Sequence, residues 1–189
     1  MRRIVNDEAL DALFRAACHP EGWLDLAVSD TLLRAVSELV RFGPGSAGGS
    51  PQRLIFVKSA AAKERLRQTI AASLPEAMQA AVQAAVIAAP TIAILGYRPE
   101  PRREPFGQPP ADRREMRACL LQAGLLVLAA RALALDCRPL WQFDSQAVDA
   151  AFFPEGGVVS EFLCALGYAD EAEPLPALPP AGCDACEIL

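Results

Sequence analysis

The run Arg113–Leu135, RREMRACLLQAGLLVLAARALAL, most constrains what this chain can become. Asp112 can cap its start, and helix formers fill nearly every position. From Cys119 to Ala130 only Gln122 is polar. A helix that is apolar on every side is normally the buried spine of a domain or of a dimer. A membrane span needs about 20 apolar residues, and Gln122 and Arg131 interrupt the run before that. The helix is therefore expected to be structural. The segment that follows, Asp136 to Asp144 with the sequence CRPLWQFD from Cys137, is read as the loop it presents.

A chain of 189 residues with 52% hydrophobic content can bury one sizeable core, so residues 1–189 are expected to form a single domain. The net charge of -5 argues against a nucleic-acid partner, whose footprint would be basic. At the N-terminus, Asn6, Asp7 and Glu8 stand where a signal peptide would be apolar. A cytoplasmic protein without a membrane partner is the expectation, and its six cysteines are then reduced thiols. A single histidine, His19, leaves little room for histidine-based acid–base chemistry or a multi-histidine metal site.

In chain order, Asn6 or Asp7 caps a short helix, EALDALFRAA, with Leu10, Leu13 and Phe14 inward. Cys18 to Val28 is a loop. Ser29 caps a second helix whose Leu32, Leu33, Val36, Leu39 and Val40 recur at helical spacing, and Gly43 and Pro44 end it. A strand follows over Arg53–Lys58, then a third helix opened by Ser59. The alanine-rich stretch EAMQAAVQAAVIAA carries no decisive period. After Pro90, TIAILGY is a continuous apolar run of the kind buried in a sheet. Residues 97–111 form a Pro/Arg-rich loop, SQAVDAAFF a short helix and EFLCALGYAD a last strand. Residues 171–189 are an extended, proline-rich tail. Helices dominate over a few strands in one sheet, which makes the fold class α+β.

Several motifs suggest chemistry and are better read otherwise. Gly43-Pro44-Gly45-Ser46-Ala47-Gly48 matches the dinucleotide fingerprint letter for letter, but a helix precedes it and a strand follows, the reverse of the order that fingerprint needs. Cys183 and Cys186 make a lone CxxC, which needs further ligands such as Cys137 or Cys164 to hold zinc. Cys18 beside His19 lacks an orienting acid for a nucleophile. Asp25 and Asp144 are carboxylates that nothing in the sequence brings together. Trp141 is the type of residue that more often packs than stacks a ligand. No metal site and no catalytic residue can be named from these residues.

Taken together, EALDALFRAA, GWLDLAVSDTLLRAVSEL, GPGSAGGSPQRLIFVKSAAAKERL and LQAGLLVLAARALALDCRPLWQFDSQAVDAAFF resemble the nitroreductase family, in its malonic-semialdehyde-reductase-like branch. The resemblance covers nearly the whole chain. It implies an α+β homodimer, with a central sheet flanked by helices and a buried central helix. It also implies FMN held at the subunit interface and hydride passed from NAD(P)H to a nitro, quinone or aldehyde acceptor.

The same resemblance implies a remodelled cofactor site. Cys18 and His19 stand where the branch has Arg-Thr near the FMN phosphate, and Glu21 follows. The family loop S-A-N-S-S-P is Ser46-Ala47-Gly48-Gly49-Ser50-Pro51, which keeps Ser46 and Ser50 and is followed by Arg53. The family's G-P-M-S-G-F-D is Arg138-Pro139-Leu140-Trp141-Gln142-Phe143-Asp144, with more bulk beside the flavin ring. Ala177 and Pro180 take the places of basic tail residues. Two lost charge-assisted hydrogen bonds cost about 3–6 kcal/mol, or about two to four decades of affinity. Arg15 and Arg138 are the arginines that can restore charge. The expected cofactor-binding residues are thus Arg15, Ser46, Ser50, Arg53 and Arg138. Two activities stay open: an FMN- and NAD(P)H-dependent oxidoreductase with a remodelled site, and a flavin-free scaffold or regulatory subunit, homodimeric or paired with an intact paralogue.

Overall fold

All seven residues of strand β2 (Thr91–Tyr97) are buried, which requires cover on both of its faces. A computed structural model provides that cover; it describes residues 4–15, 20–43, 52–70, 75–99 and 111–170, the side chains of 111–113 apart. Strands β1 (Gln52–Val57), β3 (Asp136–Leu140) and β4 (Val159–Gly167) join β2 in one antiparallel sheet of order β1-β2-β4-β3. Successive side chains of a strand point to opposite faces. Accordingly Ala93, Leu95, Phe162, Cys164 and Leu166 enter one core, and Ile92, Ile94, Leu163 and Ala165 enter the other.

Helices α2 (Asp30–Val40) and α5 (Ala111–Ala132) cover the first face. Helices α3 (Ala60–Gln68), α4 (Glu76–Ala88) and α6 (Ser145–Phe152) cover the second. Four helix starts are fixed by side chains that accept a backbone N–H three residues on. Asn6 serves α1 (Asp7–Leu10), and Ser29, Ser59 and Asp144 serve α2, α3 and α6. Asp144 is thereby committed to structure, and Asp25 is exposed.

The alanine-rich stretch without a decisive period is α4, with Val82, Ala85 and Val86 buried at helical spacing. The expected first helix is α1 continued as a π turn, Asp11–Arg15, and Phe14 is 58% exposed rather than inward. The central helix is buried on one side only. Cys119, Gln122, Ala123, Leu126, Ala129 and Ala130 face the sheet, while Leu120 and Leu121 are 38% and 57% exposed. Gly124 lies on that open side, with no atom within 4 Å of a Cβ built there.

The segment read as a loop after α5 is in part a strand, β3, whose residues 136–140 pair with 163–167. Pro139 is compatible with a strand here because proline, excluded from central strands, is tolerated at an edge, and β3 is an edge. The turn into β3 puts Ala134 at φ 58, with Leu135 N–H donating to the Ala130 carbonyl. That is a helix stop at which glycine is the usual residue.

Between β2 and β4 the register slips: Leu95 pairs with Phe162 but Gly96 with Ser160, leaving Glu161 as the extra residue of a bulge. A Cβ on Gly96 would lie 2.6 Å from the Val159 carbonyl oxygen. Gly96→Ala is expected to destabilise the protein by about 1–3 kcal/mol, read as a lower midpoint in urea unfolding.

Candidate functional site

Two groups of candidate residues lie at opposite edges of the sheet. The first surrounds the N-terminal segment. Arg15 ends the π turn, with Nη2 3.0 Å from Asp7 Oδ1 and Nε 2.8 Å from Asp11 Oδ1. The three side chains are exposed, so these pairs add little stability, but two carboxylates answer the single charge. Arg131, in the last turn of α5, donates from Nη1 to the Leu13 carbonyl at 3.1 Å. Arg138 on β3 donates from Nη1 to the Pro20 carbonyl at 3.4 Å. The chain between Leu13 and Pro20 is thus tied at one end by α5 and at the other by β3. Cys18 and His19 belong to that stretch and lie outside the described residues. Sequence reasoning treated Arg131 only as a break in an apolar run, and its spacing from Leu13 gave no signal of this contact.

The second group lies at the start of β1. Ser46 and Ser50 are outside the described residues. Arg53 is exposed, with Nη1 3.5 Å from the Gln52 carbonyl oxygen. Arg53 and Arg138 sit on the two edge strands, separated by three inter-strand steps, about 14 Å before any offset along the strands. One chain therefore does not bring them to a common point. Beside Arg53, both carboxamide atoms of Gln52 are closed to water and have no hydrogen-bond partner among the described residues. A buried polar side chain without partners is unusual, and the sequence gave no hint of it.

After β3, Trp141 is 58% exposed and leans on Phe162, with ring centroids 5.1 Å apart and planes tilted by 58°. The indole is therefore half packed and half offered to solvent. A surface cavity of about 370 Å³ opens between α2 and β1, lined by Asp30, Leu33, Arg34, Ser37, Phe56 and Lys58. It lies toward the far end of β1 from Gln52 and contains none of the expected site residues.

Burial suppresses thiol chemistry in the core. It pushes the Cys119 thiol up to about 12, with the Glu161 charge adding to the effect. Cys164 is raised by its hydrogen bond to Cys137 and by burial. Glu161 itself is raised by partial burial and by the Asp149 charge. Among the described residues no three His, Cys, Asp or Glu side chains gather to hold a metal ion. Cys183 and Cys186 lie outside them.

A long helix laid on a four-stranded antiparallel sheet, with short helices behind, is an arrangement shared with solved nitroreductase structures. A structure titled as a nitroreductase from Bacillus subtilis superposes with a TM-score of 0.78 at 14% identity, covering 97% of this chain and 100% of the other. One from Exiguobacterium sibiricum, titled as a complex with FMN, gives 0.76 at 15% identity and covers all of both chains. No protein-family model matches the chain. Curated relatives nevertheless match end to end. The relative from Polynucleobacter asymbioticus is 36% identical over 204 aligned positions covering all of both chains, and that from Ralstonia nicotianae is 37% identical over 98% of each. Both are named "Putative NADH dehydrogenase/NAD(P)H nitroreductase". On this likeness the chain belongs to the nitroreductase family.

Cys119, Cys137 and Cys164 are fully buried, and a neutral thiol is a poor nucleophile. A thiol reagent at pH 8 is expected to leave these three unlabelled in the native protein and to modify them once denaturant is added. Peptide mapping reads the result.

Proposed function

We propose that the chain is an FMN-dependent NAD(P)H oxidoreductase of the nitroreductase type, working as a homodimer on a small nitro, quinone or aldehyde acceptor. The observation that carries this reading is the end-to-end identity of 36% and 37% with relatives that bear that name. The resemblance of the quoted stretches supports the malonic-semialdehyde-reductase-like branch. Among the described residues no helix is long and apolar enough to cross a membrane.

The residues present fit the cofactor in part of its length. Arg138 spends one N–H on Pro20 and keeps others for an anion, whereas the charge of Arg15 is already matched by Asp7 and Asp11. Ser46, Ser50 and Arg53 remain the residues that the resemblance assigns to the flavin from the β1 side. A bound FMN supplies two-electron hydride chemistry. The chain's own task is to grip the phosphate, orient the ring and keep water from it.

Because Arg53 and Arg138 occupy opposite edges of one sheet, a ligand gripped by both residue sets is best served by two protomers. The open face of α5 supports such a pairing. Leu120 and Leu121 are exposed beside Gly124, where two backbones can approach closely. Apolar area removed from water there is worth about 25 cal/mol per Å². Leu121→Glu is expected to convert the dimer to monomer, read by sedimentation velocity.

A flavin-free subunit is the second reading, favoured by the carboxylates around Arg15 and by the bulk of Trp141. The visible spectrum of the purified protein, followed by FMN titration with fluorescence quenching, decides between them. Micromolar binding or co-purified flavin is expected, with NAD(P)H oxidation to follow. No binding at millimolar FMN rejects the flavoenzyme and turns attention to a paralogous partner. Arg138→Met is expected to weaken binding by about 10- to 150-fold, the worth of one charge-assisted hydrogen bond.

A further inference from the structure

Strand β3 ends at Leu140, which pairs with Leu163, so the first residues of β4 form an open corner of the sheet. Two side chains meet at this corner. Trp141 follows Leu140 and lies across from Phe162, with ring centroids 5.1 Å apart, and 58% of it stays exposed. Glu161 is the extra residue of the bulge between β2 and β4, and it breaks the alternation of the strand. Ser160 bonds to Ser145 of α6 on one face, while Phe162 enters the core under α5 on the other. The Glu161 charge acts on Cys119 of α5, and the charge of Asp149 on α6 acts on Glu161. The carboxyl therefore sits at the border between the two layers, beside the indole.

Both groups lack the partner their chemistry calls for. Glu161 is half-buried, and among the described residues no hydrogen bond or ion pair engages its carboxyl. Partial burial and the Asp149 charge push that carboxyl up, the mark of negative charge with no cation to answer it. An aromatic face attracts positive charge through its quadrupole, an indole most strongly. Phe152 has the Arg65 guanidinium 4.5 Å over its ring, but among the described residues no cation lies over Trp141.

We propose that Trp141 and Glu161 form a site for a small organic cation, an alkylated ammonium group seated on the indole face with the carboxylate beside it. Neither residue is among those assigned to the flavin, and the inference does not draw on the flavin reading. An anion is repelled by Glu161 and Asp149. A metal ion needs several oxygen ligands, and among the described residues no three acidic, cysteine or histidine side chains gather. A neutral hydrocarbon covers the ring but leaves the carboxylate unanswered. An alkylated ammonium group satisfies both, because its methyl groups carry the charge onto the ring and need no hydrogen-bond acceptor.

The test titrates the full-length protein with choline and with its uncharged carbon isostere, 3,3-dimethylbutan-1-ol. The indole N–H resonance of Trp141, assigned by its loss in Trp141→Phe, reports binding. Choline is expected to shift it with a roughly millimolar Kd, and the isostere to leave it in place. Glu161→Gln should weaken choline about three-fold or more while melting no lower than wild type. Glu161→Asp, which keeps the charge, should retain part of the binding. No response to choline overturns the inference, as does an equal response to choline and the isostere, or choline binding unaltered in Glu161→Gln. Choline binding by a protein that takes up no FMN leaves this inference standing while the functional reading falls. FMN binding without any response to choline removes this inference alone.

Discussion

Everything in this protein depends on the burial of β2 and β4 from both sides at once. Ile92, Ile94, Leu95, Phe162, Leu163 and Leu166 are all within 2% of complete burial, each worth about 1.5–3 kcal/mol. A sheet with two dry faces demands two layers of helices, and the chain must return repeatedly across it. The layers are unequal. α5 is long enough to span one face with help only from α2, while three short helices tile the other. The surplus length and apolarity of α5 leave one of its sides uncovered. The constraint that closes the core therefore also produces the surface on which the proposed assembly rests.

Most of this was legible in the residues. The unbroken run TIAILGY reads as a strand buried in a sheet, and Ser29 and Ser59 announce helix starts by chemistry that acts within three residues. What was misread depended on neighbours distant in sequence. Pro139 argues for a loop until the position of β3 at the sheet edge is known. The alanine-rich stretch of α4 has too little contrast between its faces to display a period. Phe14 could be placed inward only by assuming a partner for it.

The candidate site was less legible, for the same reason on a larger scale. Arg15 and Arg138 could be picked out as cations, but their availability is set by Asp7, Asp11 and Pro20, and only Asp7 and Asp11 are near Arg15 in sequence. Arg131 became interesting through a contact spanning 118 residues. Gln52 is unremarkable as a letter; only the lack of partners among the described residues around its enclosed amide marks it. Charge can be counted in a sequence, whereas satisfaction of charge and of hydrogen bonds is a property of the folded surroundings.

Pro139 carries one further consequence. An open sheet edge is a template onto which another extended chain can add, the usual route to runaway association. On β3 a ring replaces one amide hydrogen, and on β1 the exposed Arg53 puts a charge on the other border. Both borders of the sheet are thus guarded against strand addition. In the proposed homodimer, self-association is channelled toward helix-to-helix contact, which closes after two copies instead of propagating.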